Sequence, residues 1–155
     1  MPAPDPQPAW FDDITTPALL RGARTTYGSA IRDALVAVDC SDMPRNGSFV
    51  IGAIARNGSS LSQIIESLGV SKQAAGQLVD TLVVRGYLDR APDPADRRRL
   101  TVSLTERGQL AAQAGRAAVE RVDARLKARV GADRLSHTRG TLAALIDLGR
   151  ADEDG

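Results

Sequence analysis

Three consecutive arginines, Arg97, Arg98 and Arg99, follow an aspartate, Asp96. Guanidinium groups crowded on a short loop suit a polyanion, because each offers a planar fork of donors to phosphate. They also suit the narrow minor groove of duplex DNA, whose negative potential attracts arginine. Asp96 and Arg98 stand two residues apart, so on an extended arm they share a face and can pair. Arg97 and Arg99 have the opposite parity and suit flanking phosphates. The expectation is that Arg97 or Arg98 enters the minor groove while the other, with Arg99, neutralises phosphate. The rival reading is a solvated charge run balanced by Asp89, Asp93 and Asp96.

A second polar set, Ser71, Lys72, Gln73 and Gln77, lies upstream. Glutamine can bond an adenine edge through two hydrogen bonds, and lysine and serine suit phosphate or guanine. Between them, Ala74, Ala75 and Gly76 offer a nearly bare helix surface that could approach base edges or thymine methyls closely, and Ala75 and Gly76 join the candidate DNA contacts.

These residues need elements to position them. Leu61, Ile64, Ile65 and Leu68 recur at helical spacing, and Gly69 supplies a sharp exit. Ser71 caps the next helix, which buries Ala74 or Ala75, Leu78, Val79 and Leu82, and Gly86 stops it. Two helices joined by a tight turn form a helix-turn-helix, whose second helix can enter a major groove. Tyr87 to Ala91 and Arg99 to Leu104 then read as a hairpin, with Leu100, Val102 and Leu104 alternating onto one face. The arginines fall at its tip, after Pro92-Asp93-Pro94-Ala95.

Helices flank this centre on both sides. Thr16-Pro17 starts one whose apolar face runs through Leu20, Ala23, Tyr27, Ile31, Ala34 or Leu35, and Val38. Pro44 and Gly47 break it. A short helix from about Ser48 to Arg56 carries Phe49, Ile51 or Gly52, Ile54 and Ala55, with Gly52 expected to permit close packing. Thr105 caps a long helix to about Val130 with the row Leu110, Ala114, Ala118, Val122, Leu126 and Val130. After Gly131 a last helix buries Leu135, Leu142, Leu145, Ile146 and Leu148, and residues 151–155 are expected to fray. The terminal helices are too apolar for one small domain to cover, which predicts a homodimer.

The run Asp93-Pro94-x-Asp96-Arg97-Arg98-x-x-x-Val102-x-Leu104-Thr105-x-x-Gly108 closely resembles, without a gap, the wing motif of the MarR family of winged-helix transcriptional regulators. The helix-turn-helix upstream is similar too. The resemblance implies a mainly α fold, a winged helix-turn-helix with long N- and C-terminal dimerisation helices. It implies residues 1–15 as a flexible arm, 16–45 as an N-terminal dimerisation helix, 46–108 as the DNA-binding domain and 109–155 as C-terminal dimerisation helices. Asp96 would stiffen the wing by pairing with Arg98. The partner would be double-stranded DNA with a pseudo-palindromic operator, and the function regulation of transcription, as a repressor. A small-molecule effector would sit in a cleft lined by Trp10, Phe11, Tyr27 and Phe49. At Gly76 and Gln77 the chain departs from the family, where many members carry Ser or Thr and Arg.

Other chemistries find little footing. The chain has no phosphate-binding loop, dinucleotide fingerprint, metal-ligand set or nucleophile–base spacing, so no enzyme, metal or cofactor is expected. Cys40, the single cysteine, excludes an intrachain disulfide; an inert thiol is the expectation, with a redox sensor as the alternative. His137, the single histidine, reads as a surface polar residue, and Trp10-Phe11 as an anchor onto the protein's own helices. Net charge is +1 over 155 residues, so any basic footprint is local. No membrane span or secretory leader is evident, which predicts a cytoplasmic protein. A winged-helix module that binds proteins is the other class of function, but it has little reason to place Asp-Arg-Arg-Arg on an exposed tip.

Overall fold

The computed structural model describes residues 9–57, 71–93, 95 and 100–153. The first helix of the helix-turn-helix, with Gly69, lies outside them, as do Asp96, Arg97, Arg98 and Arg99. After a 3-10 turn at Ala9–Phe11 come α1 (Thr16–Val36), α2 (Gly47–Asn57), α3 (Lys72–Val84), β1 (Leu88–Pro92), β2 (Leu100–Leu104), α4 (Glu106–Val130) and α5 (Ala132–Glu153). The chain divides into two compact units, Met1–Ala118 and Val119–Gly155, with the boundary inside α4.

Local chemistry sets most of the boundaries. Ser71 Oγ accepts from Ala74 N at 3.2 Å and caps α3. Gly86 ends that helix at φ 73°, and Gly131 separates α4 from α5 at φ 85°. Thr105 caps α4 by accepting from Gly108 N at 3.0 Å. Helix α1 begins at Thr16 after an N-cap at Thr15, which makes Pro17 its second residue. Helix α5 runs to Glu153, into the stretch expected to fray.

In the first unit the core joins Leu35 and Cys40, the α2 residues Val50, Ile51, Ala53 and Ile54, the α3 residues Val79 and Leu82, and Tyr87, Leu88, Val102 and Ala111. Strands β1 and β2 pair antiparallel, from Leu88 opposite Leu104 to Pro92 opposite Leu100. The alternation of β2 holds, with Val102 buried and Ser103 exposed.

Three expected faces are corrected. In α2 the buried set is Val50, Ile51, Ala53 and Ile54, while Phe49 and Ala55 are exposed. Among the described residues, a Cβ at Gly52 would meet only the Arg56 guanidinium, at 3.7 Å, so none of them makes the close approach expected there. In α4 Leu110 is exposed and Gly108, Ala111 and Ala118 are buried. A row stepping by four drifts about 40° per step around the helix, whereas a core-facing stripe alternates steps of three and four. In α5 Leu142, Leu145, Ile146 and Leu148 are exposed instead of buried, and none of its described side chains is buried.

Gly108 fixes the base of the hairpin. A Cβ there would collide with the Tyr87 carbonyl oxygen, which accepts from Thr105 N at 3.2 Å. Gly108→Ala is therefore expected to cost about 2–3 kcal/mol, a fall of about 5–10 °C in thermal midpoint for a chain of this size. An unchanged midpoint in a calorimetric scan would refute that close approach.

Candidate nucleic-acid interface

Helix α3 turns one side into the core and leaves the other open. Ser71, Lys72, Gln73, Ala74 and Gln77 are exposed, and Gly76 has open space where its Cβ would be. Ala75 does not belong with them. At 1% exposure it is a core residue, so it presents no surface to DNA, and Ala74 is the alanine that faces outward. The buried positions Ala75, Val79 and Leu82 follow the 4-3 rhythm of a core stripe, which fixes what the opposite face can show.

The hairpin is held against the same helix. Arg90 on β1 pairs with Asp80 on α3 at 2.7 Å. Thr101 Oγ donates to the Ala91 carbonyl at 3.2 Å, bracing the outer end of the ladder. Asp93 Oδ1 accepts from Ala95 N at 2.8 Å, the Asx turn that starts the tip. With Pro92 opposite Leu100, residues 93–99 form the connection between the strands, and the arginine triplet belongs to it.

A polar junction that no sequence spacing announced lies behind α3. Tyr87, buried just after the Gly86 turn, donates from its hydroxyl to Asp42 Oδ1 at 2.5 Å. Arg107 donates to the same carboxylate, at 2.8 Å to Oδ1 and 3.4 Å to Oδ2, and its guanidinium lies 4.3 Å from the Tyr87 ring centroid. The Tyr87 hydrogen bond and the Arg107 cation hold the Asp42 carboxyl below its usual range, against the opposing effect of burial. Burial, and then the bond to Asp42, push the Tyr87 phenol upward. The only available signal was a tyrosine, one of two, behind a helix-stopping glycine in an aromatic-poor chain.

A groove of about 800 Å³ runs between α1 and the start of α2. Tyr27 and Phe49 line it, as do Arg21, Arg24, Arg32 and Arg45, and among the described residues none that lines it is acidic. Trp10 and Phe11 do not line it. They pack edge to face on each other, centroids 5.9 Å apart, and Trp10 is 64% exposed instead of anchored on the helices. Cys40 is buried, lines the groove and lies beside the Tyr87 hydroxyl. His137 is exposed, with Nδ1 2.6 Å from the Asp133 carbonyl oxygen. Among the described residues no group of His, Cys, Asp or Glu is placed to hold a metal ion, and no helix is long and apolar enough to cross a membrane.

A family model described as MarR family matches residues 41–99, the stretch that holds α2, α3, β1 and the arginine triplet. No curated protein matches the chain. Several solved structures share its fold. CouR, a transcriptional repressor bound to a 23-mer DNA duplex, is 20% identical, with a TM-score of 0.69 over 92% of this chain and 99% of its own. A mutant MarR from E. coli complexed with operator DNA is 19% identical, with a TM-score of 0.68 over 90% and 99%. A probable transcriptional regulator from Pseudomonas aeruginosa is 25% identical, with a TM-score of 0.63 over 87% and 98%.

Proposed function

We propose, from the match of residues 41–99 to a MarR-family model, that the chain is a MarR-family, sequence-specific DNA-binding regulator acting as a homodimeric repressor. The observation that carries the reading is the pairing of an open α3 face with a hairpin tied to it by Arg90 and Asp80, in a sequence that sets three arginines between the two strands. An exposed helix face alone is common. One flanked by a basic hairpin matches the geometry of a major-groove reader with a minor-groove probe beside it.

In this reading Ser71 and Lys72 meet phosphate or guanine and Gln73 and Gln77 meet base edges. Arg97 or Arg98 enters the minor groove, and Arg99 holds phosphate. Asp96 stiffens the tip by pairing with Arg98. The fold likeness to CouR and MarR, whose structures hold a DNA duplex, supports the same direction. The groove lined by Tyr27, Phe49 and four arginines supports a small anionic effector whose binding releases DNA. The burial of Cys40 favours this form of control over redox sensing.

Selection of bound sequences from a random duplex pool with the full chain tests the reading. A pseudo-palindromic consensus with half-sites about one helical turn apart is expected, with affinity falling steeply as salt rises. Failure to enrich any sequence would transfer the fold to protein recognition.

Gly76 gives a sharper check of the helix face. With open space at its Cβ, Gly76→Ala is expected to stabilise the helix by about 0.5–1 kcal/mol. The added methyl lies on the face assigned to DNA, so affinity for the selected duplex should fall while the thermal midpoint rises. A higher midpoint with unchanged affinity would remove Gly76 from the contact surface.

A further inference from the structure

Arg107 sits at the start of α4 and uses all four N–H bonds of its terminal nitrogens on protein oxygens. Nη1 donates to the Arg85 carbonyl at 2.6 Å and to Asp42 Oδ2 at 3.4 Å. Nη2 donates to the Asp39 carbonyl at 3.0 Å and to Asp42 Oδ1 at 2.8 Å. The guanidinium plane meanwhile covers the Tyr87 ring. Two segments distant in sequence converge on this one side chain: the α1–α2 loop, and the turn that runs from the C-cap of α3 at Arg85 to Tyr87, just before β1.

Other contacts close the same knot. Arg85 Nη1 donates back to the Asp42 carbonyl, and Tyr87 donates to the Asp42 carboxylate. Asp39, whose carbonyl Arg107 holds, stands at φ 56°, a left-handed conformation uncommon for a residue with a side chain. Thr105, two residues before Arg107, donates to the Gly86 carbonyl at 2.6 Å. The end of α3 and the root of the hairpin are therefore gripped from two sides, with α4 as the fixed jaw.

We infer that Arg107, with Asp42, is a positioning residue for DNA recognition: it sets where α3 ends and where the hairpin begins, and so the spacing between the major-groove and minor-groove contacts. This rests on the DNA-binding reading above. Arg107 has no N–H left on Nη1 or Nη2 to offer a phosphate, so its contribution passes through Arg85 and Tyr87. A sub-ångström shift at that root is amplified at the tip, and a site-specific complex tolerates it poorly. Non-specific binding, which rests on phosphate attraction alone, does not depend on that spacing.

The test compares the full chain with Arg107→Met, Arg107→Lys, Asp42→Ala, the double variant Asp42→Ala/Arg107→Met, and Tyr87→Phe. Two duplexes serve as probes: one recovered from the random pool and a scrambled duplex of equal length. Circular dichroism confirms that each variant is folded at the assay temperature. For Arg107→Met and Asp42→Ala, affinity for the selected duplex is expected to fall by roughly tenfold or more, as for members of one hydrogen-bonded network. Affinity for the scrambled duplex, and the slope of affinity against salt, should not change. The double variant should lose little beyond either single one. Arg107→Lys keeps the charge but not the planar fork, and should recover only part of the loss.

Full recovery with lysine, or a parallel loss on both duplexes with a salt slope lower by about one, would make Arg107 a phosphate contact and overturn the inference. Unchanged affinity in every variant would also overturn it. If Arg107→Met does not fold, Tyr87→Phe, which removes a single hydroxyl, carries the same comparison. A wild-type chain that binds no selected duplex would defeat the DNA-binding reading itself, an outcome distinct from wild-type binding that the variants leave intact.

Discussion

Arg98→Ala is expected to weaken binding to the selected duplex by at least about thirtyfold while leaving the oligomeric state unchanged. An arginine seated in a groove is worth roughly 1–3 kcal/mol of discrimination, and a two-fold dimer loses that contact twice. Even the lower bound, doubled, converts to about a thirtyfold change in affinity. The placement follows from the hairpin. Pro92 opposite Leu100 closes the ladder, Asp93 starts a tight turn, and Arg90 ties the first strand to α3 through Asp80. Affinity measured by fluorescence anisotropy across a salt series checks the expectation. Wild-type affinity in Arg98→Ala, with loss in Arg97→Ala, would assign the minor-groove role to Arg97. Wild-type affinity in both would remove the tip from the interface.

How much of this was legible in the sequence depended on the distance over which each feature is decided. The caps at Ser71 and Thr105 and the stops at Gly86 and Gly131 were readable because a cap or a positive φ is settled within three or four residues. The β2 alternation was readable because a half-buried strand repeats every second residue. Ala74 and Ala75 could not be told apart. Both are small and apolar, and only the packing partner of α3 decides which one turns inward. The α2 face was misplaced by a residue for a similar reason, since Phe49 to Ile54 is apolar nearly all round and periodicity has no edge to find.

The Asp42–Tyr87–Arg107 junction was not legible at all. Its members are 45 and 65 residues from Asp42, and each looks locally ordinary: an aspartate before a proline break, a tyrosine opening a strand, an arginine in a first helical turn. Their meaning comes from loop closure, which leaves no local signature. The wing motif is the opposite case. Asp93, Gly108 and the residues between them form one short run, so the likeness to the MarR family's wing motif was legible from the sequence alone.

The largest expected effect lies outside the surface proposed to meet DNA, on α5. Leu142, Leu145 and Ile146 are exposed and, with Leu135, fall within about 100° of arc on a helix of period 3.6. Helices in folded proteins owe most of their stability to packing of such a stripe, and here no described α5 side chain is buried. A second copy of the chain supplies the cover in the homodimeric reading. Leu145→Asp combined with Ile146→Asp places two carboxylates on that stripe, where burial would desolvate charge without a partner. The double variant is expected to be monomeric at micromolar concentration by analytical ultracentrifugation. Its affinity for the selected duplex should fall by about 10²–10⁴, because two half-sites are no longer engaged by one linked pair of readers. Ala144→Asp, on the opposite side of the same helix, should leave both properties unchanged. A double variant that stays dimeric would place the interface elsewhere. One that becomes monomeric yet binds the duplex as tightly as the wild type would show that a single reading head suffices, and the two-fold operator would lose its physical basis.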